Sequence, residues 1–190
     1  MKKEFIMKRI IITVLSIISL SAYSQKGEEY PEVNVPIDSE TKLITYSNVV
    51  EFGANKDELF EKANAWFHSY FKNPTGVIRE RDAAKGEIMG KHQMRIFNPH
   101  DKKGVQTMKG IIMYSVTVQT RDNRARIILN EFNIRSNSYT AIDDWADKSS
   151  RNYSNLNNYY LEQIDKEMKE LLDNFNKFMM AGPEEKKDDW

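Results

Sequence analysis

Few side chains in this sequence are of a type and spacing that could do chemistry. The three histidines, His68, His92 and His100, fall on a helix, a strand and a loop, so no spacing brings two imidazoles to one metal ion. There is no Gly-x-Ser-x-Gly, no glycine-rich phosphate loop and no cysteine, which removes the chemistries that a short motif can announce. Asp143, Asp144 and Asp147 could hold calcium if backbone carbonyls converged on them, but they lack the spacing of a calcium loop and read as solvated or helix-capping carboxylates. No metal, no cofactor and no enzymatic activity are expected. Arg121, Arg124 and Arg126 are the remaining concentration of charge. Opposed arginines repel, so a carboxylate such as Glu80, water or an anionic ligand is expected between them.

Those arginines belong to the stretch that organises the chain. Lys109–Arg121 and Arg124–Arg135 are rich in β-branched and aromatic residues, and Asp122-Asn123 between them tolerate positive φ in a tight turn, which predicts a long antiparallel hairpin. With a two-residue turn, Thr120 faces Ala125, Val118 faces Ile127 and Val116 faces Leu129 on one apolar face. The other face pairs Gln119 with Arg126, Thr117 with Ile128, Ser115 with Asn130 and Met113 with Phe132. Where Tyr114 meets Glu131 the clean alternation fails, so either a bulge shifts the register or the core ends there.

The elements around the hairpin follow from periodicity. Leu43–Phe52 is a first strand. Asn55 and Glu58 form a capping pair before an apolar stripe through Leu59, Phe60, Ala63, Trp66, Phe67, Tyr70 and Phe71. Val77–Arg81 and Gly86–Phe97 are strands, the second carrying Ile88, Met94 and Ile96 on one parity. Residues 136–158 are rich in Ser, Asn and Asp yet hold Tyr139, Ile142, Trp145 and Tyr153. That combination suggests a flap over the sheet or a loop that meets a partner. A second helical stripe runs from Tyr160 to Met179 and stops at Gly182-Pro183. The expected fold is α+β, an antiparallel sheet with two helices on one face in the order βαββββα, as one domain over residues 43–181.

At the beginning of the chain Lys8-Arg9, the apolar run Ile10–Leu20 and small residues at Ala22 and Ser24 have the form of a signal peptide over residues 1–24, with cleavage after Ser24. The run is shorter than the roughly 20 residues a membrane span needs. Basic and acidic residues number 28 each; removing residues 1–24 takes four basic residues and one acidic one, leaving a net charge of −3. A nucleic-acid partner is not expected of a mildly acidic chain. Residues 25–42 read as a linker and 182–190 as a charged tail.

Ile44, Tyr46 and Val49-Val50 in the first strand, Leu59, Ala63, Trp66 and Phe67 in the helix, and Asp122-Asn123-Arg124-Ala125-Arg126 leading to Phe132 carry a resemblance. Over residues 42–134, with further similarity in the last helix, the chain resembles a domain of unknown function with a TBP-like fold found in secreted proteins of Bacteroidetes. Asn123 and Ala125 stand where that family more often has glycine and an aromatic residue. The resemblance implies the same βαββββα order and supplies no activity.

Function is expected to lie in binding. A sheet with both helices on one face leaves the other open, and its mixture of Met113, Ser115, Thr117, Gln119, Arg126, Asn130 and Phe132 suits a small amphipathic molecule or an envelope protein, with Tyr139 and Trp145 contributing from the 136–158 loop. The competing expectations are a structural or assembly component of the cell envelope that joins other chains through a sheet edge or the tail, and a hydrolase without a recognisable motif.

Overall fold

A computed structural model describes residues 28–135 and 139–181. The signal-peptide and tail assignments lie outside the described residues.

Each strand and helix forms where the hydrophobic period changes. β1 (Tyr46–Glu51) leads into α1 (Lys56–Tyr70), a short helix α2 (Pro74–Val77), and the strands β2 (Ile78–Asp82), β3 (Glu87–Phe97), β4 (Met108–Arg121) and β5 (Arg124–Arg135). A three-residue strand β6 (Tyr139–Ala141), a 3-10 turn (Asp143–Trp145) and the long helix α3 (Leu156–Met180) complete the chain. The sheet is antiparallel in the order β1-β5-β4-β3-β2, with β6 paired to β5 beyond the end of β1. The expected βαββββα order is present, with β6 and α2 added to it.

The capping pair is real: Glu58 N–H donates to Asn55 Oδ1 (2.9 Å), and the Glu58 carboxylate accepts from Asn55 N–H (3.4 Å). Both helices cover one face. Leu59, Phe60, Ala63, Trp66 and Phe67 of α1 and Leu161, Ile164, Met168, Leu171 and Phe175 of α3 join Ile88, Val116, Val118, Ile127 and Leu129 in a single core. Gly90 in β3 permits the close approach, since a Cβ there would sit 3.2 Å from the Phe67 ring. Polar contacts set the position of α3. Gln163 accepts from Phe97 N–H (2.9 Å) and donates to Phe97 C=O (3.0 Å), Tyr46 Oη–H donates to Asp165 (3.1 Å), and Asn48 donates to Asn176 (2.6 Å).

The failure of alternation in the hairpin is a bulge. Ser115 pairs with Asn130 and Met113 with Asn133, so Glu131 and Phe132 together oppose Tyr114. Glu131 takes a φ of 56°, the left-handed conformation that glycine usually supplies at such a bulge. The extra residue turns Phe132 to the helix side, where it is fully buried against Tyr114 and Tyr46 at ring-centroid distances of 5.7 and 5.9 Å. Phe132 is therefore core, not part of the open face.

Two segments expected to be loose are built in. Residues 28–42, the greater part of the expected linker, dock on the body: Val35 is buried, Ile37 bridges to Ile44, and Tyr30 N–H donates to Asn155 Oδ1 (2.8 Å). From Tyr139 on, the 136–158 segment runs along the sheet edge and the helix layer. Ile142 is fully buried and its N–H donates to Phe132 C=O (3.2 Å), Asp143 Oδ1 accepts from Ile44 N–H (2.7 Å), and Trp145 rests on Tyr160 of α3 at 5.7 Å. This segment is no flap over the open face. Ile142 and Trp145 pack on the core, while Ser, Asn and Asp residues close the turns between them.

Candidate binding face

Antiparallel register arranges the open face in transverse rows. Glu87, Gln119, Arg126 and Val49 lie side by side across β3, β4, β5 and β1; the next row is Met89, Thr117, Ile128 and Ser47; the next is Lys91, Ser115 and Asn130. Gln93, Met113 and Asn133 follow beyond the bulge. Among the described residues no element lies over these rows. Met89, Thr117 and Ile128 remain partly exposed, and Val49 is 51% exposed.

The two polar rows that flank the Met89–Thr117–Ile128 row are held by side-chain chains. In one, Gln119 Nε2 donates to Glu87 (2.7 Å) while its Oε1 accepts from Arg126 Nε (3.1 Å) and Nη2 (2.5 Å). In the other, the bulge swings Glu131 over the row, where it accepts from Ser115 Oγ (2.5 Å) and pairs with Lys91 Nζ (3.5 Å). The Ser115 hydrogen bond, with the Lys91 charge beside it, holds the Glu131 carboxyl below its ordinary value of 4.5. The strip between these rows sets Met89 and Ile128 beside the hydroxyls of Thr117 and Ser47 and is framed by preset donors and acceptors.

Ser115 donates to Glu131, and His92 projects to the opposite side of the sheet, between the rings of Phe71 (4.7 Å) and Tyr114 (5.9 Å), where burial lowers its pKa below 6.5. His68 and His100 are exposed on α1 and a loop. The aspartates of the 143–147 turn are engaged separately: Asp143 accepts from Ile44 N–H, Asp144 from Asn152 Nδ2 (3.0 Å), and Asp147 from Ser149 N–H (2.8 Å) and Oγ (2.7 Å).

Of the residues expected to bind, Met113, Ser115, Thr117, Gln119, Arg126 and Asn130 do share the open face. Phe132 and Trp145 belong to the helix side, and Tyr139 opens β6 opposite Arg135 at the far corner of the sheet. Glu131 and the β3 residues Glu87, Met89 and Lys91 were missed. The β3 contribution was legible, because a core parity of Ile88, Met94 and Ile96 leaves Glu87, Met89 and Lys91 on the other face. Glu131 was not, because simple counting from the turn puts it on the core side.

Residues 46–135, which span β1 through β5, match the model of a domain of unknown function (DUF4468) with TBP-like fold. The chain carries a DUF4468 domain. The crystal structure of a DUF4468 family protein from Bacteroides ovatus is similar to it at a TM-score of 0.62 and 14% identity, covering 78% of this chain and 91% of the other. That of a TBP-like protein from Parabacteroides distasonis is similar at a TM-score of 0.59 and 18% identity, covering 78% and 99%. At such identities the likeness is one of fold alone. No curated protein matches the chain. The docked segment 28–45, β6, the 3-10 turn and the helix α3 stand outside the matched DUF4468 residues, and the rows from Glu87 to Val49, from Met89 to Ser47 and from Lys91 to Asn130 are built from matched strands alone. Among the described residues no helix is long and apolar enough to cross a membrane.

Proposed function

We propose that this DUF4468 domain is a secreted, non-catalytic binding module that engages another envelope protein through the open face of its sheet. The observation that carries the reading is the uncovered row Met89–Thr117–Ile128 between the two pinned polar rows. Methionine and β-branched side chains on a flat surface can repack against a partner, while ordered charges on either side set its orientation. A shallow strip of this kind fits a protein surface better than a small molecule, which is normally enclosed on most sides. Joining other chains by strand addition is disfavoured at the β2 edge, which is five residues long and carries Arg79, Glu80 and Arg81 in succession.

Site-specific photo-crosslinking tests this. A photoreactive residue placed at Thr117 or Ile128 in cells of a source bacterium should give discrete protein adducts, and the same residue at Ser69, exposed on α1, should not. With the photoreactive residue at Thr117, Met113→Glu combined with Ile128→Glu should abolish the adducts while the melting curve is kept. Equal labelling from both faces, or none from the sheet, would overturn the proposal.

A further inference from the structure

The corner of the open face at the turn end of the hairpin differs from the rest of that face. Arg121 and Arg124 stand directly opposite each other, Arg126 is the next residue on the same side of β5, and together with Gln119 and Val49 they line a cleft of about 190 Å³. None of the ion pairs among the described residues includes any of these three arginines. The carboxylates of the neighbourhood are placed otherwise. Asp122 accepts from Lys56 N–H at the start of α1 (2.9 Å), Glu87 is engaged by Gln119, and Glu51, opposite Arg124 in the register, comes no closer than 4.0 Å to a guanidinium nitrogen. Glu80, expected as a partner from the sequence, belongs to β2 at the far edge of the sheet.

Like charges directly opposite each other on a sheet destabilise it, and three guanidiniums in one cleft repel unless something negative lies between them. Gln119 presents its oxygen to Arg126 because its amide nitrogen is held by Glu87, so Arg126 is oriented before any ligand arrives. Two of its five N–H donors are used there, and the donors of Arg121 and Arg124 remain for a ligand. Planar guanidinium forks match tetrahedral oxyanions in pairs of parallel hydrogen bonds. A water occupies roughly 30 Å³, so the cleft has room for a phosphate group with a few waters.

We propose that this corner binds a phosphate ester, with Arg121, Arg124 and Arg126 as its donors and Val49 as the apolar surface beside the ester's carbon substituent. The phosphate can be borne by a soluble molecule or by a lipid headgroup. The site shares Arg126, Gln119 and Val49 with the row that flanks Met89–Thr117–Ile128 but uses none of those three residues, so crosslinking at Thr117 or Ile128 and anion binding at Arg121 and Arg124 can fail independently.

The test uses nitrogen-edited NMR of the full chain, including the arginine Nε–H signals, titrated with inorganic phosphate and with sodium chloride at matched ionic strength. Phosphate should give saturable shifts at Arg121, Arg124 and Arg126 that chloride does not reproduce. Arg124→Gln, an exposed change that leaves the fold intact, should weaken binding by about ten-fold, one charge-assisted contact's worth. Arg79→Gln on β2 should change nothing. Sedimentation with phosphatidylcholine vesicles, with and without phosphatidic acid, separates the sources: co-sedimentation that needs phosphatidic acid and Arg124 supports a lipid headgroup, and phosphate shifts without it support a soluble ester. Shifts that match the chloride control, fail to saturate or survive Arg124→Gln, together with no dependence on phosphatidic acid, would overturn the proposal.

Discussion

Replacing Trp66 by alanine tests whether the two helices and the sheet form one core. Trp66 is fully buried between α1 and α3, with the rings of Phe175, Phe67, Tyr70 and Phe71 at 5.0, 5.1, 5.3 and 5.6 Å, and its Nε1–H donates to Asn174 Oδ1 (2.9 Å). An indole buries about 150–250 Å², worth roughly 4–6 kcal/mol at about 25 cal/mol per Å² before any relaxation. Measured truncations of this kind cost about 3–5 kcal/mol, and the rigid aromatic surroundings of Trp66 place it in the upper half of that range. The hydrogen bond is a minor part. Asn174 is exposed and regains water when the indole is lost, so Asn174→Ala should cost only about 1 kcal/mol. Trp66→Phe keeps a ring in contact with Phe175 and should cost about 1–2 kcal/mol. Urea unfolding followed by circular dichroism gives the three values, with the slope expected to be unchanged. A loss below about 1 kcal/mol for Trp66→Ala would refute a shared core between the helices and the sheet.

Asp143→Ala should destabilise the protein by about 1–3 kcal/mol, because it leaves the N–H of fully buried Ile44 without an acceptor; a change of a few tenths in the same unfolding assay would show that the 143–147 turn is not tied to that strand. At the bulge, Glu131→Gly and Glu131→Val both lose the Ser115 and Lys91 contacts, but valine resists a φ of 56°. Thermal unfolding should therefore rank valine below glycine by about 1–2 kcal/mol, and equal values would mean the left-handed conformation is absent. His92 has a folded pKa depressed by burial, so the unfolded chain takes up its proton first. Stability should hold above pH 6.5 and fall as pH drops through that value toward the lower folded pKa, and His92→Phe should remove this component from the melting temperature measured across pH 5 to 8. An unchanged pH profile in that variant would show His92 is solvated.

Local pattern was enough for most of the fold. The 3.6-residue stripes of α1 and α3, the Asn55–Glu58 cap and the period-2 alternation around Asp122-Asn123 each depend on residues near one another in the chain, so the sequence by itself determined the α+β class, the helix faces and the hairpin register out to Ser115 and Asn130. Five of the residues expected on the open face follow from that register alone, and Met113 from the alternation along β4. The rest depends on contacts between distant parts of the chain. A glutamate carries no local mark of a left-handed conformation, and the bulge at Glu131 is chosen because it lets Phe132 bury against Tyr46 and Tyr114 while Glu131 meets Ser115 and Lys91. Residues 139–158 are polar enough to resemble a free loop, yet Ile142, Asp143 and Trp145 find Phe132, Ile44 and Tyr160 across the fold. Likewise, the arginines of the hairpin were visible in the sequence, but only the assembled sheet shows where the neighbouring carboxylates went. Asp122 caps a helix, Glu87 holds Gln119, Glu80 lies on the far edge, and Glu51 stands opposite Arg124 without forming an ion pair.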